Sequence, residues 1–139
     1  MRFLDANVFI YAYYRPHIRL DKEQRLMKEK SKDIVEQISE GKLGVITTVV
    51  HLSEISNILK RSMDPDELEA LLLTLYSLNN VNIEGVSADD YLLAVDTAKE
   101  LALDPNDALA IDVMQKNEID EILSFDRGFD GVEGIKRLP

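Results

Sequence analysis

No cysteine occurs in this 139-residue chain, which excludes disulfides and thiolate metal sites and is compatible with a reducing compartment. Histidine is nearly as scarce: His17 and His51 are the two present, and they form no i, i+4 pair. A zinc site of the usual kind therefore lacks its ligands. No run approaches ~18 consecutive apolar residues, so no segment reads as a membrane span. The apolar N-terminus is interrupted at Asp5 and Asn7 with no small-residue cleavage pattern behind it, which argues against a signal peptide. The motifs G-x-x-x-x-G-K-S/T, G-x-G-x-x-G and G-x-S-x-G are all missing, so nucleotide-binding and serine-hydrolase chemistry lose their usual support. No linker, low-complexity tract or internal repeat divides the chain. The expectation is one soluble, cytoplasmic domain spanning residues 1–139 with a single substantial core.

What is present is ordinary in amount and uneven in placement. Hydrophobic residues make up 45% and charged residues 30%, which disfavours disorder. The net charge of −10 argues against a general nucleic-acid coat, because phosphate binding normally relies on lysine and arginine. Seven of the sixteen basic residues nevertheless fall together: Arg15, Arg19, Lys22, Arg25, Lys28, Lys30 and Lys32. Bound divalent cations would also offset part of the negative charge. The overall charge does not decide the partner.

Hydrophobic periodicity predicts strands at Arg2–Leu4, Leu43–Thr47, Val81–Glu84 and Glu121–Phe125, with a last short one at Ile135–Leu138. Helices are predicted over residues 8–14, 21–40, 48–61, 64–78, 87–101 and 104–116. Their boundaries carry local signals. Thr47 or Thr48, Asp64-Pro65, Ser87 and Asp104-Pro105 are N-terminal caps, and Gly41 is a C-terminal one. Leu71 to Tyr76 is apolar enough to form either core or an interface between subunits. Strands alternating with helices are the sequence form of a parallel sheet covered on both faces, an α/β/α domain. In such sheets, active residues gather outside the carboxyl ends of the strands, where strand order reverses.

Four carboxylates are predicted to reach that edge. Asp5 and Asp126 directly follow strands, Glu54 lies on the helix after the second strand, and Asp107 opens a helix. Each has a plainer explanation. Asp5 can cap the next helix, and Glu54 can pair with Arg61. Asp107 can complete a capping box with Asp104, and Asp126 can belong to an acidic turn in which Gly128 adopts a positive φ. Together they are harder to explain so. Two unit charges ~4 Å apart repel by roughly 4 kcal/mol at an effective dielectric near 20, and a divalent cation is the simplest compensation. Oxygen-only ligands favour Mg²⁺ or Mn²⁺. Asn7 and Ser124 are candidates to support the ligands by hydrogen bonds, with Asp130 beside them. His51 reads as a core residue.

Four segments, Asp5–Ile10, Ser53-Glu54, Asn106–Leu109 and Ser124–Phe129, together resemble the PIN domain family over nearly the whole chain. Asp5-Ala6-Asn7-Val8-Phe9-Ile10 is similar to its opening motif and Ser53-Glu54 to its second acidic position. Asn106-Asp107-Ala108-Leu109 is similar to the third. Ser124-Phe125-Asp126-Arg127-Gly128-Phe129 resembles the fourth, with serine where threonine is common. The resemblance implies a three-layer PIN-like α/β/α domain with a central parallel sheet of four to five strands. For a stand-alone domain of this size it implies a VapC-type toxin: a Mg²⁺- or Mn²⁺-dependent endoribonuclease, usually a homodimer, inhibited by a small antitoxin protein.

On that basis Asp5, Glu54, Asp107 and Asp126 are expected to be the catalytic, metal-holding residues for one or two ions. The substrate is expected to be single-stranded or structured RNA. Arg15, Arg19 and Lys22 are candidates to hold its phosphates, and Tyr13, with Tyr11 and Tyr14 nearby, to stack on bases. Two rivals are kept. One is a haloacid-dehalogenase-like phosphatase with Asp5 as nucleophile, which wants an acid where Asn7 stands and a lysine that is absent between Leu101 and Gln115. The other is a non-catalytic acidic metal-binding interaction module.

Overall fold

The computed structural model describes residues 1–16 and 18–139, and His17 lies outside the described residues. In chain order the elements are β1 (Arg2–Leu4), α1 (Ala6–Tyr13), α2 (Lys22–Ser39), β2 (Val45–Thr48), α3 (Val49–Leu59) and α4 (Pro65–Ser77). They continue with β3 (Val81–Glu84), α5 (Ala88–Leu101), α6 (Pro105–Lys116), β4 (Glu121–Leu123), a 3₁₀ turn (Arg127–Gly131) and β5 (Lys136–Leu138). The strands form one five-stranded sheet in the order β3-β2-β1-β4-β5, and every adjacent pair is parallel.

Side-chain alternation along the strands builds the two outer layers. Leu4, Val45 and Leu123 pack on one face with Val8, Phe9, Ile34, Ile38, Leu52, Ile55 and Leu59 from α1, α2 and α3. Phe3, Ile46 and Ile122 pack on the other with Ala94 of α5 and Leu109, Ile111 and Met114 of α6. Both faces are buried, so the strands are short continuous apolar runs rather than half-polar ones. The chain steps outward from β1 through β2 to β3, then returns to the opposite side of β1 for β4 and β5. Strand order therefore reverses between β1 and β4, which opens a crevice at their carboxyl ends.

Helix starts follow the capping residues. Asp21 and Gln24 close a reciprocal capping box on α2, as Ser87 and Asp90 do on α5. Thr48 Oγ1 accepts from the backbone of Val50 and His51, and Asp64 and Asp104 each cap a helix whose first residue is proline. Gly41 follows α2 at φ +76°, the left-handed position a helix end favours for glycine.

Several local expectations are corrected. Strand β4 stops at Leu123 rather than Phe125, because side chains take the next backbone donors: Asn7 Oδ1 accepts from Phe125 N at 3.3 Å and Ser124 Oγ from Asp126 N at 3.0 Å. The expected loop at 127–131 is a 3₁₀ turn capped by Asp126. Gly128 does not use a positive φ; a Cβ there would meet Asp126 Oδ1 at 3.1 Å, so close approach is what its glycine serves. The Leu71–Tyr76 stretch divides, with Leu75 buried while Leu73 and Tyr76 are each 61% exposed. Among the described residues no helix is long and apolar enough to cross a membrane.

Two helix ends put a non-glycine residue in the left-handed region, Ala102 at α5 and Glu118 just past α6. Ala102 ends α5 in the left-handed region at φ 55°, where a Cβ is disfavoured and glycine is not. Its side chain is exposed, so nothing is lost on removing it. Ala102→Gly is expected to raise stability by about 0.5–1 kcal/mol in urea titration at unchanged slope. A loss of stability in that variant would contradict the strain assignment.

Candidate active site

The crevice between β1 and β4 is floored by a short polar network. Asp5 leaves β1 with only 5% of its surface exposed. Its backbone is at the N-cap of α1, yet its side chain makes no capping hydrogen bond. Instead Ser124 Oγ donates to Asp5 Oδ2 at 2.6 Å. The same Ser124 oxygen accepts from Asn7 Nδ2 at 3.2 Å and from Asp126 N at 3.0 Å. With both acceptor positions in use, the serine proton is directed at Asp5. The capping explanation of Asp5 is thereby replaced. Asn7, which stands where a phosphatase would want an acid, works as a donor and acceptor bridging the ends of β1 and β4.

Helices α3 and α6 supply the opposite wall. Glu54 makes no pair with Arg61; its Oε1 accepts from Asn106 Nδ2, and Asn106 Oδ1 in turn accepts from the Tyr91 hydroxyl at 2.5 Å. Asp107 gives its backbone N–H to the Asp104 cap at 2.9 Å without closing a reciprocal box, and the Asp104 side chain also raises the proton affinity of the Asp107 carboxyl. Its carboxyl is left to face the other acids. Asp126 does both things expected of it, capping Gly128 N at 2.8 Å and acting electrostatically on Asp5 and Asp107.

His51 braces this wall from beneath. It is 1% exposed and packs edge-on to Phe3 with ring centroids 5.0 Å apart. Thr48 Oγ1 lies 2.7 Å from His51 Nδ1 while also accepting two backbone N–H groups, so the threonine proton goes to Nδ1 and the ring proton to Nε2. His51 Nε2 lies within electrostatic reach of the Asn106 backbone but not in hydrogen-bonding geometry. Burial holds its pKa down at about 4, which keeps the ring neutral.

Electrostatics give the site its character. Burial lifts the Asp5 carboxyl to about 6 against the pull of Ser124, with Glu54 and Asp126 adding to the rise. Asp107 is pushed to about 8, by burial first and then by Asp5, Asp104 and Asp126. Burial also raises Glu54, opposed by the Asn106 amide. Asp5, Glu54, Asp107 and Asp126 are thus brought into one electrostatic neighbourhood. Among the described residues no three acidic or histidine side chains converge closely enough to hold an ion as they stand. In chemistry the set fits a hard divalent cation: oxygen-only, anionic, mutually repelling, with other carboxyls as the main charges acting on Asp5 and Asp107.

The other candidates lie around this centre. Asp130 faces the Arg137 guanidinium at 2.8 and 3.2 Å, and Arg137 also donates to the Ser124 carbonyl at 3.2 Å. Asp130 thus reaches the site through Arg137. Arg15 makes an exposed ion pair with Glu67, while Arg19 and Lys22 are exposed before and at the start of α2. Tyr13 is half-buried and stacked on Phe9 at 6.1 Å, whereas Tyr11 packs edge-on to Phe125 at 5.5 Å, next to Asp126. Tyr11 and Tyr14 help line an open groove of about 390 Å³ with Pro16, Ile18 and Leu20. Sequence reasoning singles out neither Tyr91 nor Arg137, and quotes Asn106 only as Asp107's neighbour. Glu54 lies 52 residues and Tyr91 15 residues from Asn106, and even Arg137 and Asp130, seven apart, form no cap or turn motif that the sequence displays.

A PIN domain model matches residues 2–135. The chain is 30% identical over 143 residues to the VapC ribonuclease Mb1869c of Mycobacterium bovis and to ribonuclease VapC13 of Mycobacterium tuberculosis. In both cases the match covers 99% of this chain and 99% of the relative. It belongs to the PIN domain family, VapC type. Two solved structures share the fold at low identity. VapC20 of M. tuberculosis, described as a Sarcin-Ricin loop cleaving toxin, superposes with a TM-score of 0.66 at 21% identity over 91% of this chain and 90% of that one. A toxin–antitoxin complex from Klebsiella pneumoniae gives 0.65 at 17% identity over 98% and 96%.

The raised carboxyls have a thermodynamic consequence. A carboxyl whose pKa is higher folded than unfolded binds its proton more tightly in the fold, so its stabilisation is full below the unfolded value and is lost as pH rises through the folded one. His51 has the opposite sign, its stability being lost as pH falls from about 6.5 through about 4. Between pH 6.5 and 8 the unfolded His51 sheds its remaining proton, a small contribution of opposite sign, and Asp5 is largely ionised, so Asp107 dominates the fall in stability. In chelator, urea midpoints should fall from pH 6.5 to 8, and Asp107→Asn should remove most of that slope, on the order of 1 kcal/mol at pH 8. An unchanged slope in the variant would show that Asp107 is not the group responsible.

Proposed function

We propose that the chain is a Mg²⁺- or Mn²⁺-dependent endoribonuclease and the toxin of a VapBC-type pair. The observation that supports this reading is that acids distant in sequence act on one another at the carboxyl ends of β1 and β4: Glu54 and Asp126 add to the rise at Asp5, and Asp5 and Asp126 to the rise at Asp107. Asp5, Glu54, Asp107 and Asp126 would hold the metal. When bound, the cation supplies Lewis acidity that lowers the pKa of an attacking water and offsets charge on the leaving oxygen. The protein's own groups prepare that chemistry. Ser124 keeps Asp5 supplied with a donor so that the ionised form survives burial. Asn7 fixes Ser124, and Arg137 anchors the backbone from which Ser124 and Asp126 project.

Substrate contacts are assigned to the exposed edge beside α1. Arg15, Arg19 and Lys22 offer cations to RNA phosphates, and Tyr11, adjoining Phe125, is better placed than Tyr13 to receive an unpaired base. Lys28 is committed elsewhere, donating to the carbonyls of Tyr11, Ala12 and Tyr14. A small antitoxin as partner is supported by the toxin–antitoxin relatives of matching fold. A homodimer is supported only by a small exposed apolar strip on α5, Leu92 and Val95 one turn apart.

Antitoxin-free protein incubated with Mn²⁺ and RNAs of varied sequence should cut at internal positions, and EDTA should stop it. Asp5→Asn should abolish cleavage yet leave the metal-free fold at least as stable, because repulsion is relieved. Mg²⁺ at ~100 times its dissociation constant should stabilise the wild type by about 2.7 kcal/mol and the variant by much less. RNA left intact under all these conditions, with unchanged melting in Mg²⁺, would refute the proposal.

A further inference from the structure

Glu54 differs from the other three acids in being held by a relay of neutral side chains. The relay joins three helices: Tyr91 of α5 donates to Asn106 of α6, and Asn106 donates to Glu54 of α3. An asparagine amide can be turned end for end without changing its shape, so something must choose its orientation. Turned over, it would set its carbonyl oxygen against the Glu54 carboxylate, oxygen on oxygen. The orientation found instead places N–H on Glu54 and leaves the carbonyl to accept from Tyr91. Tyr91 is itself anchored, packed partly buried against the core of Phe3, Ile46 and Leu109.

We infer that Asn106 is the positioning residue for Glu54, its amide held in place by the Tyr91 hydroxyl, with its N–H turned to the acceptor-only carboxylate, so that the carboxylate is presented toward the other acids. This rests on the nuclease reading above. A glutamate side chain loses substantial rotamer freedom when fixed. Holding one oxygen on a preset donor removes that loss before a cation arrives and leaves the second oxygen free to ligate. Asn106 is also the residue before Asp107, within the first turn of α6. One backbone segment therefore sets both the donor for Glu54 and the origin of the Asp107 carboxyl. No acid could serve at position 106, because it would add a charge beside Glu54 and offer no N–H.

The test is Mn²⁺ titration by calorimetry on RNA-free protein, alongside steady-state cleavage. Asn106→Ala should weaken Mn²⁺ binding about 10- to 100-fold, the usual range for a group that orients a metal ligand. Tyr91→Phe, which keeps the ring packing, should weaken it less, and both should lower kcat with KM for RNA unchanged. Asn106→Ala combined with Glu54→Gln should bind Mn²⁺ no more weakly than Glu54→Gln alone, because Asn106 acts only through Glu54. Additive losses in the double variant would overturn the inference. So would a lowered melting temperature with wild-type Mn²⁺ affinity in Asn106→Ala. In both of those cases a defective Glu54→Gln leaves the nuclease reading standing. A wild-type protein that neither binds Mn²⁺ nor cuts RNA would overturn both.

Discussion

A carboxylate at the end of a buried parallel strand stays ionised only if the fold supplies donors, and the site depends on how that demand is met at Asp5. Ser124 is fully buried, and its hydroxyl lies 2.6 Å from Asp5 Oδ2. Its oxygen is saturated from behind by Asn7 and by the backbone of Asp126. The proton has one useful direction left. An isolated buried carboxylate would protonate instead, and a protonated Asp5 offers poor ligation. The bond also ties the end of β1 to the end of β4, the two strands that flank the reversal of strand order. Geometry and charge state are fixed by one contact.

The charge distribution follows a division of labour. Acids face the crevice, while the basic segment from Arg15 to Lys32 lies along the loop after α1 and on α2. Counting its cations overstates what is free for a polyanion. Lys28 caps the C-terminal end of α1 through three carbonyls. The Arg15–Glu67 pair is exposed on both sides and worth little, so it can be exchanged for a phosphate at small loss. A strongly acidic protein can therefore take an acidic substrate, provided the cations at its edge and a bound metal meet it together.

Features legible in the sequence are those decided within a few residues. Caps at Thr48, Asp64, Ser87 and Asp104 announce their helices because a cap is a bond spanning two or three positions. The alternation of strands and helices gives the parallel sheet for the same reason. What escapes local reading is any choice made by a distant partner. Whether Asp5 caps or binds Ser124 is settled 119 residues away. Glu54 finds Asn106, 52 residues on, rather than Arg61 on its own helix. Asp107 has a local partner in Asp104, and only the fold reveals that its carboxyl also feels Asp5 and Asp126. Ala102 in a left-handed end is invisible because composition favours glycine there.

Asp107 also shows which effect wins where two oppose. It stands in the first turn of α6, where the helix dipole favours negative charge by about 0.3–1 kcal/mol. That alone would hold its carboxyl low. Burial and the fields of Asp5, Asp104 and Asp126 act the other way, and its proton affinity ends far above the ordinary range, at about 8. Burial is the largest of these and the net shift lies on their side, so the dipole is outweighed. The helix end therefore serves here to place the carboxyl rather than to neutralise it. A fold that uses its helix termini and a serine hydroxyl to hold acids together makes the protonation of one of them, Asp107, part of its stability near neutral pH.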